Sequence, residues 1–187
     1  MNLWFRVLWV IIASFFRPRL TFQDESLLTF HVMPHDLDIN IHMNNARYMA
    51  LMDLGRCDMM LRGGLVRAML KNRWQPVVGS ALVRFRRPLA PFQKLHLRSR
   101  TLGWDEKWLY IQHIIESKGV VACHAVVRAA FVRAGKVVPP SEIALASGYT
   151  GNAPPLPLWI VHWRDAEAGA DELPTLSLVK ETKSCVR

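Results

Sequence analysis

Cysteine is scarce in this chain, and its three copies, Cys57, Cys123 and Cys185, are odd in number and show no CxxC spacing. That pattern argues against a disulfide framework and against a zinc ribbon, and a reducing, cytoplasmic setting fits it best. Acidic residues are also few: 15 Asp and Glu stand against 24 Lys and Arg, a net charge of +9. The imbalance favours phosphate-bearing cofactors, acidic carrier proteins or anionic lipid as partners. Nucleic-acid binding would rest on charge alone and is not expected. No GxSxG, P-loop, GxGxxG or HExxH is present. The common signatures of serine hydrolases, nucleotide- and dinucleotide-binding enzymes and zinc peptidases are therefore missing.

The one candidate targeting segment, MNLWFRVLWVIIASFFRPRL, is apolar from Val7 to Phe16 with only Ser14 interrupting. That is about half of the ~20 residues a spanning helix needs. It ends in Phe15, Phe16, Arg17, Pro18 and Arg19, unlike the small residues of a secretory cleavage site. Trp4, Phe5, Trp9 and the flanking arginines suit residues 1–20 to a helix in peripheral contact with a membrane. A helix packed on the protein's own body and a signal anchor are the alternatives.

The 187 residues, 51% of them hydrophobic, suffice for one full-sized core. The expected organisation is an N-terminal apolar helix (1–20), one domain (21–150) and an extension (151–187) that is Pro-rich and then briefly helical around Ile160 to Ala168. Leu27 to Met33 reads as a strand. Between Asn45 and Arg62, Tyr48, Leu51, Met52 and Met59 recur at helical spacing. Gly55 shares that face, where a missing side chain lets a sheet approach. Asn44 is a good N-cap, and Gly63–Gly64 a good stop. Four strand-like stretches follow, Val77–Arg86, Leu95–Leu102, Lys107–Glu116 and Val120–Arg133, with hairpin-length connections at Gly103–Glu106 and Ser117–Gly119. The order implies an α+β domain in which an antiparallel sheet wraps one long central helix.

The segment before that helix, HDLDINIHMNNARYM, concentrates Asp36, Asp38, Asn40, His42, Asn44 and Asn45. Each alone reads as a turn or cap residue. Together they supply more: Asp38, Asn40 and His42 alternate at period two, so an extended segment would aim them at one side. The free N–H groups of a helix start lie just beyond. A carboxylate, an amide, an imidazole and an anion-favouring helix end are the parts needed to add water to an acyl group. A metal site from His31, His35, Asp38 and His42 is disfavoured, because Pro34 keeps His31 and His35 off one helical turn.

With those residues in view, the chain resembles the hotdog-fold thioesterases over roughly residues 27–135. The D-x-N-x-H-x-N-N-x-x-Y pattern of Asp38, Asn40, His42, Asn44, Asn45 and Tyr48 is similar to plant acyl-carrier-protein thioesterases. HMNNARY, FRRPL and LGWD more closely resemble the thioesterase superfamily member six family, and the hydroxybenzoyl-CoA branch is a further relative. The resemblance implies a hotdog fold and hydrolysis of an acyl thioester carried by coenzyme A or acyl carrier protein, with no separate cofactor or metal. It also implies a homodimer or higher homo-oligomer with the thioester between two protomers. Asp38 would be general base or nucleophile, Asn40 and His42 would orient it or the water, and the Asn45 N–H would stabilise the oxyanion. An additional acid and Cys found in the plant enzymes are absent after Arg86–Arg87. A hydratase or dehydratase using His42, or a non-catalytic acyl-thioester-binding or membrane-associated module, are the rival readings.

Overall fold

The computed structural model describes residues 3–170; Cys185 and the rest of the C-terminal extension beyond residue 170 lie outside the described residues. The chain forms two compact units, Met1–Pro154 and Pro155–Arg187. In the first, α1 (Leu3–Phe16) precedes β1 (Ser26–His31), a 3-10 turn (Pro34–Asp36), α2 (Asn45–Arg62) and α3 (Leu65–Asn72). The strands β2 (Gln75–Phe85), β3 (Lys94–Trp104), β4 (Leu109–Ser117), β5 (Val120–Arg133) and β6 (Lys136–Val138) follow, then α4 (Pro140–Ala146). The second unit contains α5 (Leu158–Ala170), which includes the helix expected around Ile160.

All strand pairs are antiparallel, in the order β1-β3-β4-β5-β2 with β6 beside β5. Lys118 and Gly119 link β4 to β5 with positive φ at both positions, the two-residue turn whose twist matches the flanking strands. Lys107 and Trp108, expected in a strand, belong instead to a turn closed by the Asp105 carboxylate, which accepts both their N–H groups. Helices α3 and α4 are additions to the expected order.

The core forms where α2 meets the sheet. Tyr48, Leu51 and Met52 of α2 pack with Leu28, Leu95, Leu97, Ile115 and Ala125. Asn44 caps the helix by accepting the Ala46 N–H at 2.8 Å. Gly55 marks the closest approach of helix and sheet: a Cβ there would collide with Ser99 Oγ and lie 3.1 Å from Leu97 Cδ2. Ser99 is buried and bonded to His113 Nδ1 at 2.8 Å, so it cannot easily give way. Ala gains about 1 kcal/mol of helix propensity over Gly, but overpacking costs about 1–3 kcal/mol. Gly55→Ala is therefore expected to lower stability by ~1 kcal/mol, measured as a lower urea midpoint at unchanged slope. A raised midpoint would contradict the packing argument.

Candidate active site

Two aspartates of the polar cluster, two residues apart, have different roles. Asp36 ends the 3-10 turn and is 1% exposed. Its carboxylate accepts from Arg6 Nη1 (3.1 Å), Arg6 Nη2 (2.6 Å) and the Met33 N–H (2.9 Å), and its carbonyl accepts the Asn44 N–H at 2.8 Å. Arg47 Nε, on the first turns of α2, lies 3.8 Å away. Asp36 thus fixes α1, the turn and the start of α2 together, and its lone pairs are committed.

Asp38 opens a tight loop rather than an extended segment. Leu37 and Met43 form a β-bridge, the Asp38 N–H donates to the His42 carbonyl (2.8 Å) and the Ile41 N–H to the Asp38 carbonyl (3.1 Å). Asp38 Oδ1 then accepts the backbone N–H groups of Asn40 (2.8 Å) and His42 (3.3 Å). The correction to the period-two reading has a physical cause: an Asx carboxylate offers the backbone a local partner and closes the turn. Main-chain amides, rather than the Asn40 and His42 side chains, hold the Asp38 carboxylate. Ile41 takes φ of 57° within the loop. This left-handed backbone is costly for a β-branched residue and is the kind of strain that sites hold in place through their surroundings.

All four candidate residues nevertheless converge. Asp38, Asn40, His42 and Asn45 line one cleft of about 320 Å³, closed by Met43, Tyr48, Phe85, Arg86, Arg87 and Pro88. Asp38 is half-buried, while Asn40, His42 and Asn45 are exposed. The Ala46 and Arg47 N–H groups are taken by the side chain and carbonyl of Asn44. The N–H of Asn45 finds no acceptor among the described residues, which leaves a helix-start donor at the cleft wall. Tyr48 and Phe85 meet edge to face at 5.3 Å, and burial pushes the Tyr48 phenol up to about 12, so it stays protonated. Among the arginines on or just beyond the strands, Arg86 and Arg87 line the cleft, whereas Arg98 is paired with Glu25 (2.7 Å) and Arg100 with Gln112 (2.9 Å). The histidines considered as ligands are dispersed: His31 lines a notch beside Phe5 and Trp9, His35 lies 3.5 Å from Asp36, and His42 lines the cleft.

A second cavity of about 260 Å³ has mainly apolar walls, including Phe22, Met59, Val77, Val78 and Phe131, with Asp53 and Arg56 at its margin. Behind Arg56 stands a buried relay that sequence reading missed, because its members are far apart in the chain. Arg56 Nη1 lies 3.1 Å from His113 Nε2, and Arg56 Nη2 also pairs with Asp53. Burial, then the Arg56 charge, pushes His113 well below its ordinary value. Neutral in the fold and protonated below about 6.5 when unfolded, it contributes stability that is present above that pH. The contribution declines as pH falls toward the lower folded value. Thermal midpoints measured from pH 8 to 5 should fall for the wild type, and fall less steeply for His113→Gln. Parallel profiles would contradict the assignment.

Comparisons with known proteins bear on the family and the fold. A family model described as "Thioesterase-like superfamily" matches residues 32–163. Protein THEM6 of Danio rerio is 36% identical over 120 residues, 63% of this chain and 59% of that protein. Probable thioesterase YBR096W of Saccharomyces cerevisiae is 31% identical over 99 residues, 51% of this chain and 43% of that protein. The chain thus covers less than two thirds of the length of either curated relative. A thioesterase from Thermus thermophilus, solved with coenzyme A and zinc, is similar with a TM-score of 0.57 and 23% identity, over 65% of this chain and 95% of that one. The sheet curled round α2 is the α+β hotdog architecture expected from the sequence.

Proposed function

We propose that this chain, which belongs to the thioesterase-like superfamily, hydrolyses an acyl thioester of coenzyme A or acyl carrier protein to a free acid and a thiol. The observation that carries the reading is the convergence of Asp38 and of Asn45, whose N–H has no partner among the described residues, on one cleft. The thioester carbonyl accepts the Asn45 N–H, which stabilises the oxyanion as the tetrahedral centre forms. Asp38, held through Oδ1, takes a proton from water with its other oxygen as water attacks the carbonyl carbon. If Asp38 attacks that carbon itself, the mixed anhydride that forms as the thiolate leaves is opened by a water, which returns the Asp38 carboxylate, releases the acid and supplies the thiolate's proton. Collapse expels the thiolate, which takes up the proton. His42 and Asn40 line the water's approach. Arg86 and Arg87 offer the charge that the phosphates of coenzyme A or a phosphopantetheine arm need.

A homodimer belongs to the proposal. β2 is an edge strand that leaves Val77, Val78, Leu82 and Phe85 exposed, an arrangement that invites edge pairing. The polar cleft adjoins its Phe85 end and the apolar cavity its Pro76 end. Two-fold antiparallel pairing of β2 with its copy brings the cleft of one protomer towards the cavity of the other. The acyl chain then has an apolar place to go. The test is thiol release from acyl-CoA esters of varied chain length and from aromatic acyl-CoA, with enoyl-CoA absorbance followed in parallel. Thiol release supports the hydrolase. Loss of double-bond absorbance without thiol release would make the protein a hydratase instead.

A further inference from the structure

Helix α1 has two apolar faces, and only one is used by the fold. Leu3, Val7 and Val10 pack on the core. Trp4, Phe5, Leu8, Trp9, Phe15 and Phe16 are exposed, with Trp4 at 77%, Phe15 at 78% and Phe16 at 85%. At 3.6 residues per turn these six fall within an arc of roughly 140°. They form one continuous stripe rather than scattered exposure, and the half-exposed Trp9 has its ring edge against Phe30 (5.9 Å).

The stripe is held outward from both ends. Arg6 binds Asp36 and the His31 carbonyl at one end, while Arg17 reaches Asp58 (3.3 Å) and the Leu27 carbonyl (2.5 Å) at the other. Asp36 and Asp58 are both buried, so rotating the stripe inward would take an arginine partner from each of two buried carboxylates. The helix cannot hide its own aromatics.

Two features select the occupant. The β2 edge, where a second copy is proposed, is at the opposite end of the sheet order from β1, beside which α1 lies. Dimerisation through β2 therefore leaves the stripe uncovered. The stripe's surroundings are cationic: exposed Arg19 follows the helix, exposed Lys94 pairs across strands with His31 of the adjoining notch, and the chain carries +9. Aromatic and aliphatic side chains flanked by cations are the chemistry of a helix lying in an anionic bilayer surface. No described helix is long and apolar enough to cross a membrane.

We propose that α1 docks the protein onto an anionic phospholipid surface, lying along it with Trp4, Phe5, Trp9, Phe15 and Phe16 at the boundary of headgroups and acyl chains. Arg19 and Lys94 meet the phosphates. This docking stands independently of hydrolysis, and its readout is separate. The purified full chain is sedimented with sucrose-loaded vesicles of phosphatidylcholine alone and of phosphatidylcholine with 30% phosphatidylserine. The expected result is preferential, salt-sensitive sedimentation with the anionic vesicles. Combined Trp4→Ser, Phe15→Ser and Phe16→Ser should weaken it at least tenfold while leaving the thermal midpoint and thiol release from a short-chain acyl-CoA unchanged. Absence of sedimentation by the wild type would overturn the proposal, as would equal sedimentation of the triple variant. So would a wild-type oligomer that the triple variant disperses, because the stripe would then be a protein interface.

Discussion

Asp38→Asn should lower turnover by roughly 100- to 10,000-fold, the usual contribution of a positioned general base, with little change in stability. The substitution is informative because of how the loop is built. One Asp38 oxygen, Oδ1, accepts both the Asn40 and His42 N–H groups, and an asparagine carbonyl oxygen can do the same. The loop is retained while the negative charge and the basic lone pair are lost. Rate of thiol release and thermal midpoint on the same preparation separate the two effects. Near-normal turnover would remove Asp38 from the chemistry, and a collapsed midpoint would make it a structural residue like Asp36.

Asp58→Ala should produce the largest loss of stability, about 3–5 kcal/mol, the cost of stranding a buried charge. Asp58 is fully buried within α2 and accepts from Ser26 Oγ (2.6 Å), Arg62 Nη1 (2.9 Å) and Arg17 Nη1 (3.3 Å). The Arg62 side chain is only 6% exposed and would keep only the Pro18 carbonyl (2.8 Å) and the weaker field of Asp24 in place of its ion pair. At ~2–4 °C per kcal/mol for a chain of this size, the midpoint should fall by roughly 10 °C. The exposed Arg98–Glu25 pair, at a comparable 2.7 Å, is the control: solvent screening limits such a pair to about 0–1 kcal/mol. Equal effects from Asp58→Ala and Glu25→Ala would contradict the burial argument.

The parts of the fold governed by local pattern were legible in the chain. The helical recurrence of Tyr48, Leu51 and Met52, the Asn44 cap and the strand-like stretch Val120–Arg133 each report a local rule, and each element formed where its pattern lies. Gly55 was legible for a related reason, since a glycine on an apolar helix face implies close approach. Helix α3 was not, because Gly63–Gly64 reads as a stop and carries no mark that a second helix begins at Leu65. In the site, residue types and their convergence were readable, whereas their division of labour was not. Asp36 and Asp38 look alike in sequence. They are separated by Arg6, some 30 residues upstream, which claims one carboxylate and leaves the other to the backbone of its own loop. The pairing of Arg56 with His113 is likewise a tertiary event. So is the two-faced character of α1, whose sequence is apolar all round and does not say which side meets the core.

The most direct test of the central claim, that water is added to an acyl carbon in the Asp38 cleft, is multiple-turnover incubation of the wild-type chain with acyl-CoA in ¹⁸O-enriched water. Thiol and acid are quantified together. The expected result is equal amounts of free thiol and free acid, the acid carrying one solvent oxygen. Intact acyl-CoA recovered after prolonged incubation, and intact acyl carrier protein thioester in a parallel reaction, would contradict it.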